Sequence, residues 1–365
     1  MKTKLLILIL ACYLQIINNV FSQFECSVMS FKSSGDIPDA AQYIPDANTP
    51  IKYLRVNIHF ILKEPGTEGY PGNFTNSDDG NGNSNYTGYD YAFDLIDKAN
   101  YRLSMNTQMK MPPGNSTDVL SRQYRYVING IYFNEDNDYY TFSSSVPTEY
   151  SVNASETINI FLNHSDNGIG GGYANMTGNR YMVMKYFWEG YLLDPEGQLW
   201  VRAGTINHEI GHNLSLFHTM LTNGGICYNN EDYCTDTPSR NTIITQFGFD
   251  PCCGWGGGEQ CTNNQMDYTG EDAITPLQLG RQHWTIENEM FRYKICYFTN
   301  NTINITSFSD NMAYVASNVT IPSGNSILVN DNKGMFINCE NFEINGEFEI
   351  TTGCILTINT KISCN

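Results

Sequence analysis

INHEIGHNLSLFH, residues 206–218, is the stretch from which the rest of the chain is read. It holds His208, Glu209, His212 and His218. On a helix, His208 and His212 sit one turn apart on one face. Two imidazoles at that spacing can grip one metal ion, and Glu209 beside them can take a proton from a water held there. Three neutral nitrogens that leave a fourth tetrahedral position open are a donor set suited to zinc. His218 lies too far on to share the helical face, so the helix must stop near Leu214 and the chain must turn back. A His-rich surface helix is the plain alternative. Against it, three of the chain's six histidines fall between 208 and 218.

Upstream, YLRVNIHFIL (53–62) places Leu54, Val56, Ile58, Phe60 and Leu62 on one side, the alternation of a strand. His59 points to the other face and reads as a strand histidine, not a ligand. Residues 64–88 are rich in Gly, Asn, Ser and Asp and read as a surface loop. Ala92, Ile96, Ala99 and Leu103 then recur at helical spacing. Residues 125–133 and 157–162 read as strands. The glycines at 168–172 point to a tight bend or close backbone approach. Residues 181–187 read as an edge strand along which an extended peptide could pair, and the zinc helix begins from Ala203. Downstream, Thr275-Pro276 opens a further helix to about Arg292. Beyond it, short apolar bursts such as Ile327-Leu328-Val329 and Phe348-Glu349-Ile350 recur every six to eight residues, as in a small β-solenoid or a sandwich.

The 365 residues suffice for one large domain and a small one. Residues 1–22 read as a secretory signal: Lys2 and Lys4, an apolar run too short to span a membrane, then a small-residue exit. No other stretch could span a bilayer. One of the eleven cysteines, Cys12, leaves with that leader, and an even number in an exported chain suggests disulfides. The net charge of −18 argues against a nucleic-acid partner, since there is no basic patch to neutralise phosphates. Asn-x-Ser/Thr triplets, among them Asn73, Asn163 and Asn213, recur along the chain, and the one at Asn213 should be too enclosed to carry a glycan.

Four segments together resemble the metzincin clan of zinc peptidases, and within it the pappalysin/cytophagalysin family. They are HEIGHNLSLFHTM (208–220), CTDTP (234–238), NNQMDYTGED (263–272) and PLQLGRQ (276–282). The resemblance spans roughly residues 50–295. It implies an α+β chain: a signal peptide over 1–22, a pro-segment or tail over 23–50, and a zinc peptidase domain over 51–295. That domain would hold a twisted mixed sheet, an active-site helix and a Met-turn. A small all-β accessory module over 296–365 would follow. It implies His208, His212 and His218 as zinc ligands and Glu209 as general base and acid. Met266 would be the Met-turn beneath the metal, and Tyr268 the oxyanion partner. Asp232 and Thr237, with Asp236, would be calcium ligands, against the reading of a solvated acidic loop.

Glu271 and Asp272 follow the Met-turn, where the family shapes the pocket for the residue after the cut. Acids there would favour Arg or Lys, unless both are simply exposed loop acids. Cys26 could hold the enzyme latent through its thiolate, or sit in a disulfide. Where the family has glycine before the third His, this chain has Ser215, which costs about 1 kcal/mol if the turn needs a positive φ. The expected activity is secreted, zinc-dependent hydrolysis of polypeptides. The alternative is a secreted binding protein with a vestigial zinc site, against which the intact Glu209 argues.

Overall fold

The computed structural model describes residues 25–28, 37, 39–141, 143, 145–165, 170–219, 222–223, 226–227, 232–248, 262–267, 272–295, 302–308, 312–330, 333–352 and 354–359. The signal segment lies outside the described residues. Strand β1 is Glu25–Val28, β2 Lys52–Leu62, β3 Tyr124–Glu135, β4 Ile158–Asn163, β5 Gly171–Ala174 and β6 Tyr181–Lys185. They form one sheet in the order β1-β5-β6-β4-β2-β3. Strands β3, β2, β4 and β6 run parallel, while β5 is antiparallel to β6.

Leu54, Val56, Ile58, Phe60 and Leu62 all project into the main apolar core, as their alternation required. Helix α1, Gly88–Ser104, covers that face, with Ala92, Ile96, Ala99 and Leu103 buried. It starts at a capping box in which Thr87 accepts from Asp90 N and Asp90 accepts from Thr87 N. Beyond α2, Phe187–Leu193, helix α3, Pro195–Asn213, lies beside α1 and adds Ala203, Ile206 and Ile210 to the same core.

Two sequence expectations change here. Residues 181–185 are not the edge of the sheet, because β6 is flanked by β4 and β5. The GGYA run of β5 is too short and too glycine-rich to show alternation. Helix α3 also begins at Pro195, well before Ala203, since Asp194 accepts from Gly197 N and Pro195 fills the first position.

The other face of β2 is a buried polar layer. Asn57 Nδ2 donates to Asn159 Oδ1 at 3.2 Å, and His59 Nε2 lies 2.8 Å from the same oxygen. The His59 ring stacks on Tyr132 and Phe161, with centroids 4.8 and 4.6 Å away. Burial lowers its pKa from 6.5 to about 4. The fold therefore holds the neutral ring, so its stabilisation is complete above about pH 6.5 and drains away as pH falls through 4. About 3 kcal/mol should be lost over that window. In acid titrations followed by circular dichroism, His59→Gln should flatten the dependence between those values. An unchanged slope would remove His59 as its cause.

Helix α4, Arg240–Phe247, leads on to α5, Pro276–Asn288, where Thr275 caps as expected and pairs with Gln278 in a capping box. The helix ends before Arg292, and 291–293 form a short 3₁₀ turn. The C-terminal strands are β7 (Thr302–Asn304), β8 (Met312–Ile321), β9 (Ser326–Val329), β10 (Gly334–Ile344), β11 (Glu347–Ile350) and β12 (Ile355–Asn359). All their ladders are parallel. Met335 pairs with both Met312 and Leu356, so the chain regains its register after 23 and then 21 residues. That is a solenoid winding, not a sandwich. Its own core holds Val319, Ile321, Ile327, Val329 and Ile337. Phe336, however, turns the other way and joins the main core, where β10 lies against β3.

Asn73, Asn163 and Asn213 are all buried. Asn213 Nδ2 donates to Asn175 O at 2.7 Å, which encloses that triplet as expected. Cys234, Cys339 and Cys354 are free thiols. The other cysteine side chains lie outside the described residues, so the pairing expected of them is not described.

Candidate metal centre

Helix α3 carries His208, Glu209 and His212 in its last turns and ends at Leu214, where the spacing of the third histidine required it to stop. The exit is a Schellman turn. Ser215 N donates to His212 O at 2.9 Å and Leu216 N to Gly211 O at 3.0 Å. Ser215 takes φ 65, the left-handed conformation anticipated for it. That turn carries His218 back over the helix.

The three rings converge. His218 Nε2 lies 3.1 Å from His208 Nε2 and 3.0 Å from His212 Nε2. Each helical ring spends its other nitrogen on a carbonyl: His208 Nδ1 on Gln265 O at 2.7 Å, His212 Nδ1 on Leu216 O at 2.8 Å. Those bonds place the ring hydrogen on Nδ1, so that Nε2 carries the lone pair. Burial keeps the rings neutral, lowering the pKa to about 4 for His208 and about 3 for His212, and pushing His218 well below its ordinary value. Lone pairs aimed at one another this closely repel unless a cation lies between them, so the donor set fits a zinc ion. Among the described residues, these are the one group of three or more His, Cys, Asp or Glu side chains whose donor atoms all lie within 4.8 Å.

Glu209 is buried and lies against strand β5. A Cβ built on Gly172 would come 2.7 Å from Glu209 Oε1, so glycine alone lets the strand backbone approach the carboxylate. That realises the close approach expected of the 168–172 glycines. Met266 is fully buried, and a Cβ built on Gly211 would come 2.6 Å from its Sδ. The glycine within HEIGH thus makes room for the methionine under the helix.

No family model matches the chain. It is 35% identical over 88 residues to an extracellular metalloprotease of Colletotrichum graminicola, 22% of this chain and 31% of that protein. It is 34% identical over 79 residues to extracellular metalloprotease 1 of Coccidioides posadasii, 21% of this chain and 27% of that one. The match thus spans less than a third of either relative. A mutant form of promirolysin from Tannerella forsythia aligns over 70% of this chain and 87% of its own, with 16% identity and a TM-score of 0.46.

The remaining residues expected at the site fall into three groups. Tyr268 and Glu271 lie outside the described residues, as does the side chain of Cys26. The backbone of Cys26 is described: β1 runs parallel to β5 and sets Cys26 opposite Gly172.

Asp232 and Thr237 come together, for Thr237 Oγ1 donates to Asp232 Oδ2. Burial raises the Asp232 pKa to about 7. Asp236 differs: its two oxygens accept from Thr275 Oγ1 and Leu277 N, both at 2.8 Å, so it ties this loop to the start of α5. Neither aspartate is an exposed loop acid.

Asp272 is the correction. Its carboxylate is buried, and Arg102 Nε donates to its two oxygens at 2.9 and 3.1 Å. A buried carboxylate paired in this way does not meet a substrate side chain. The partner, on α1, stands far from it in sequence, and no local pattern announces the pair. Gly211 is likewise a residue whose role emerged only from the packing.

Proposed function

We propose that the chain is an exported, zinc-dependent endopeptidase. The observation that carries this reading is the convergence of three Nε2 atoms beside a buried carboxylate that abuts the short strand β5. His208, His212 and His218 would hold the ion, which when bound supplies Lewis acidity for activating water and polarising the scissile carbonyl. Glu209 accepts the proton of the attacking water and delivers it to the leaving amine. An extended substrate pairs backbone to backbone with β5, which replaces the strand at 181–185 in that role. Tyr268 donates to the developing oxyanion. Glu271 alone remains as the acid that selects Arg or Lys after the cut. Calcium, if bound, sits at Asp232 and Thr237, since Asp236 is spent on the cap of α5.

Residues 23–50 act as the pro-segment. Strand β1 lies along β5 where substrate would pair, and Cys26 stands level with Gly172, against which Glu209 packs. The precursor is therefore latent, and removing 23–50 opens the strand. Mass spectrometry of unreduced protein tests the thiol part: Cys26 found in a disulfide would exclude it as the latency group. A proteome-derived peptide digest, with and without a zinc chelator, tests the whole reading. Chelator-sensitive cuts enriched in Arg or Lys on the far side are expected. Bulky apolar residues there would exclude Glu271 as the selector, and no chelator-sensitive cutting would exclude the activity.

A further inference from the structure

We propose that Arg281, on α5, is a positioning residue for the third metal ligand. The inference rests on the zinc reading above and deepens it. Ser215 sits in a left-handed turn that a serine adopts reluctantly, and only Leu216 and Phe217 separate it from His218. Leu216 N, donating to Gly211 O, holds one side of the peptide plane after Ser215; the carbonyl side must be held too, because rotating the plane swings His218 away from the other two rings.

Arg281 does so. Its Nε and Nη2 both donate to Ser215 O, at 3.2 and 3.0 Å. Two donors on one carbonyl fix its direction in a way a single donor does not. The guanidinium is itself immobilised. Its carbon lies 5.6 Å from the Phe217 ring centroid and 5.7 Å from that of Tyr233, and the residue is 1% exposed. Helix α5 is anchored in turn by the Thr275–Gln278 capping box and by the Asp236 carboxylate. On the far side of His218, Thr219 Oγ1 donates to Asp267. The segment 215–219 is thus pinned at both ends, and Arg281 holds the end that the sequence made weakest. Lysine cannot replace it, having a point charge where two coplanar donors and a stacking face are needed.

The test uses the full chain with Arg281→Gln, Arg281→Lys and His218→Ala. Zinc affinity is read by competition with a chelating dye, the ligand field by the visible spectrum of the Co²⁺ form, and folding by thermal melting of the metal-free protein. Wild type should bind one zinc, and His218→Ala should lose it. Arg281→Gln should bind about 10–100-fold more weakly, with a perturbed Co²⁺ spectrum, and Arg281→Lys should fall between. A purely structural role would lower the metal-free melting temperature yet leave affinity and spectrum unchanged, and that result overturns the proposal. If Arg281→Gln does not fold, Arg281→Lys decides: affinity within threefold of wild type also overturns it. A wild-type chain that binds no zinc through His218 overturns the zinc reading itself.

Discussion

Glu209→Gln should abolish most peptide hydrolysis while the chain keeps its zinc. General-base catalysis by a placed carboxylate contributes about 10²–10⁴-fold, or roughly 3–5 kcal/mol of barrier. The amide has nearly the same volume, so the packing against Gly172 survives, but it cannot accept the proton. None of the three converging nitrogens belongs to Glu209. Metal content should therefore stay at the wild-type level, and kcat should fall with little change in KM. Both forms are compared after removal of residues 23–50, so that β1 does not mask the difference. A variant retaining activity within tenfold of wild type would end Glu209's assignment as the base.

Phe336→Ala should lower the temperature at which hydrolysis is lost, although Phe336 lies on β10, far along the chain from the metal site. Its ring is fully buried in the same cluster as Leu54, Tyr126 and Ile210, where β10 meets β3. Truncating a buried Phe costs about 3–5 kcal/mol. For a chain of this size that is a shift of roughly 4–7 °C in thermal inactivation. Ile337, the next residue, faces the solenoid's own core instead. If the C-terminal strands were a free appendage, Phe336→Ala would leave the thermal loss of hydrolysis unchanged. A shift under 2 °C would show that.

The three converging histidines, the helix end at Leu214 and the strained Ser215 were legible in thirteen consecutive residues, because helical spacing and one turn determine them locally. Strand β2 and helix α1 were legible for the same reason, since each shows its period within its own length. What escaped was long-range. The edge expected at 181–185 lies instead at β1, two strands further out, because strand order depends on pairings that no segment encodes alone. The early start of α3 escaped because PEGQLWVR carries its signal in Asp194 and Pro195, with no apolar period behind it. Asp272 looked like a pocket acid until Arg102, on a distant helix, was seen to hold it.

The regained register of the C-terminal strands gives this region an adjustable length. Inserting one whole winding after β10 would extend the ladders and keep the Phe336 anchor, moving the far end by roughly 4.8 Å. A fractional insertion would instead turn core residues outward. Reach along this axis can therefore vary in steps of one strand spacing without disturbing the metal centre.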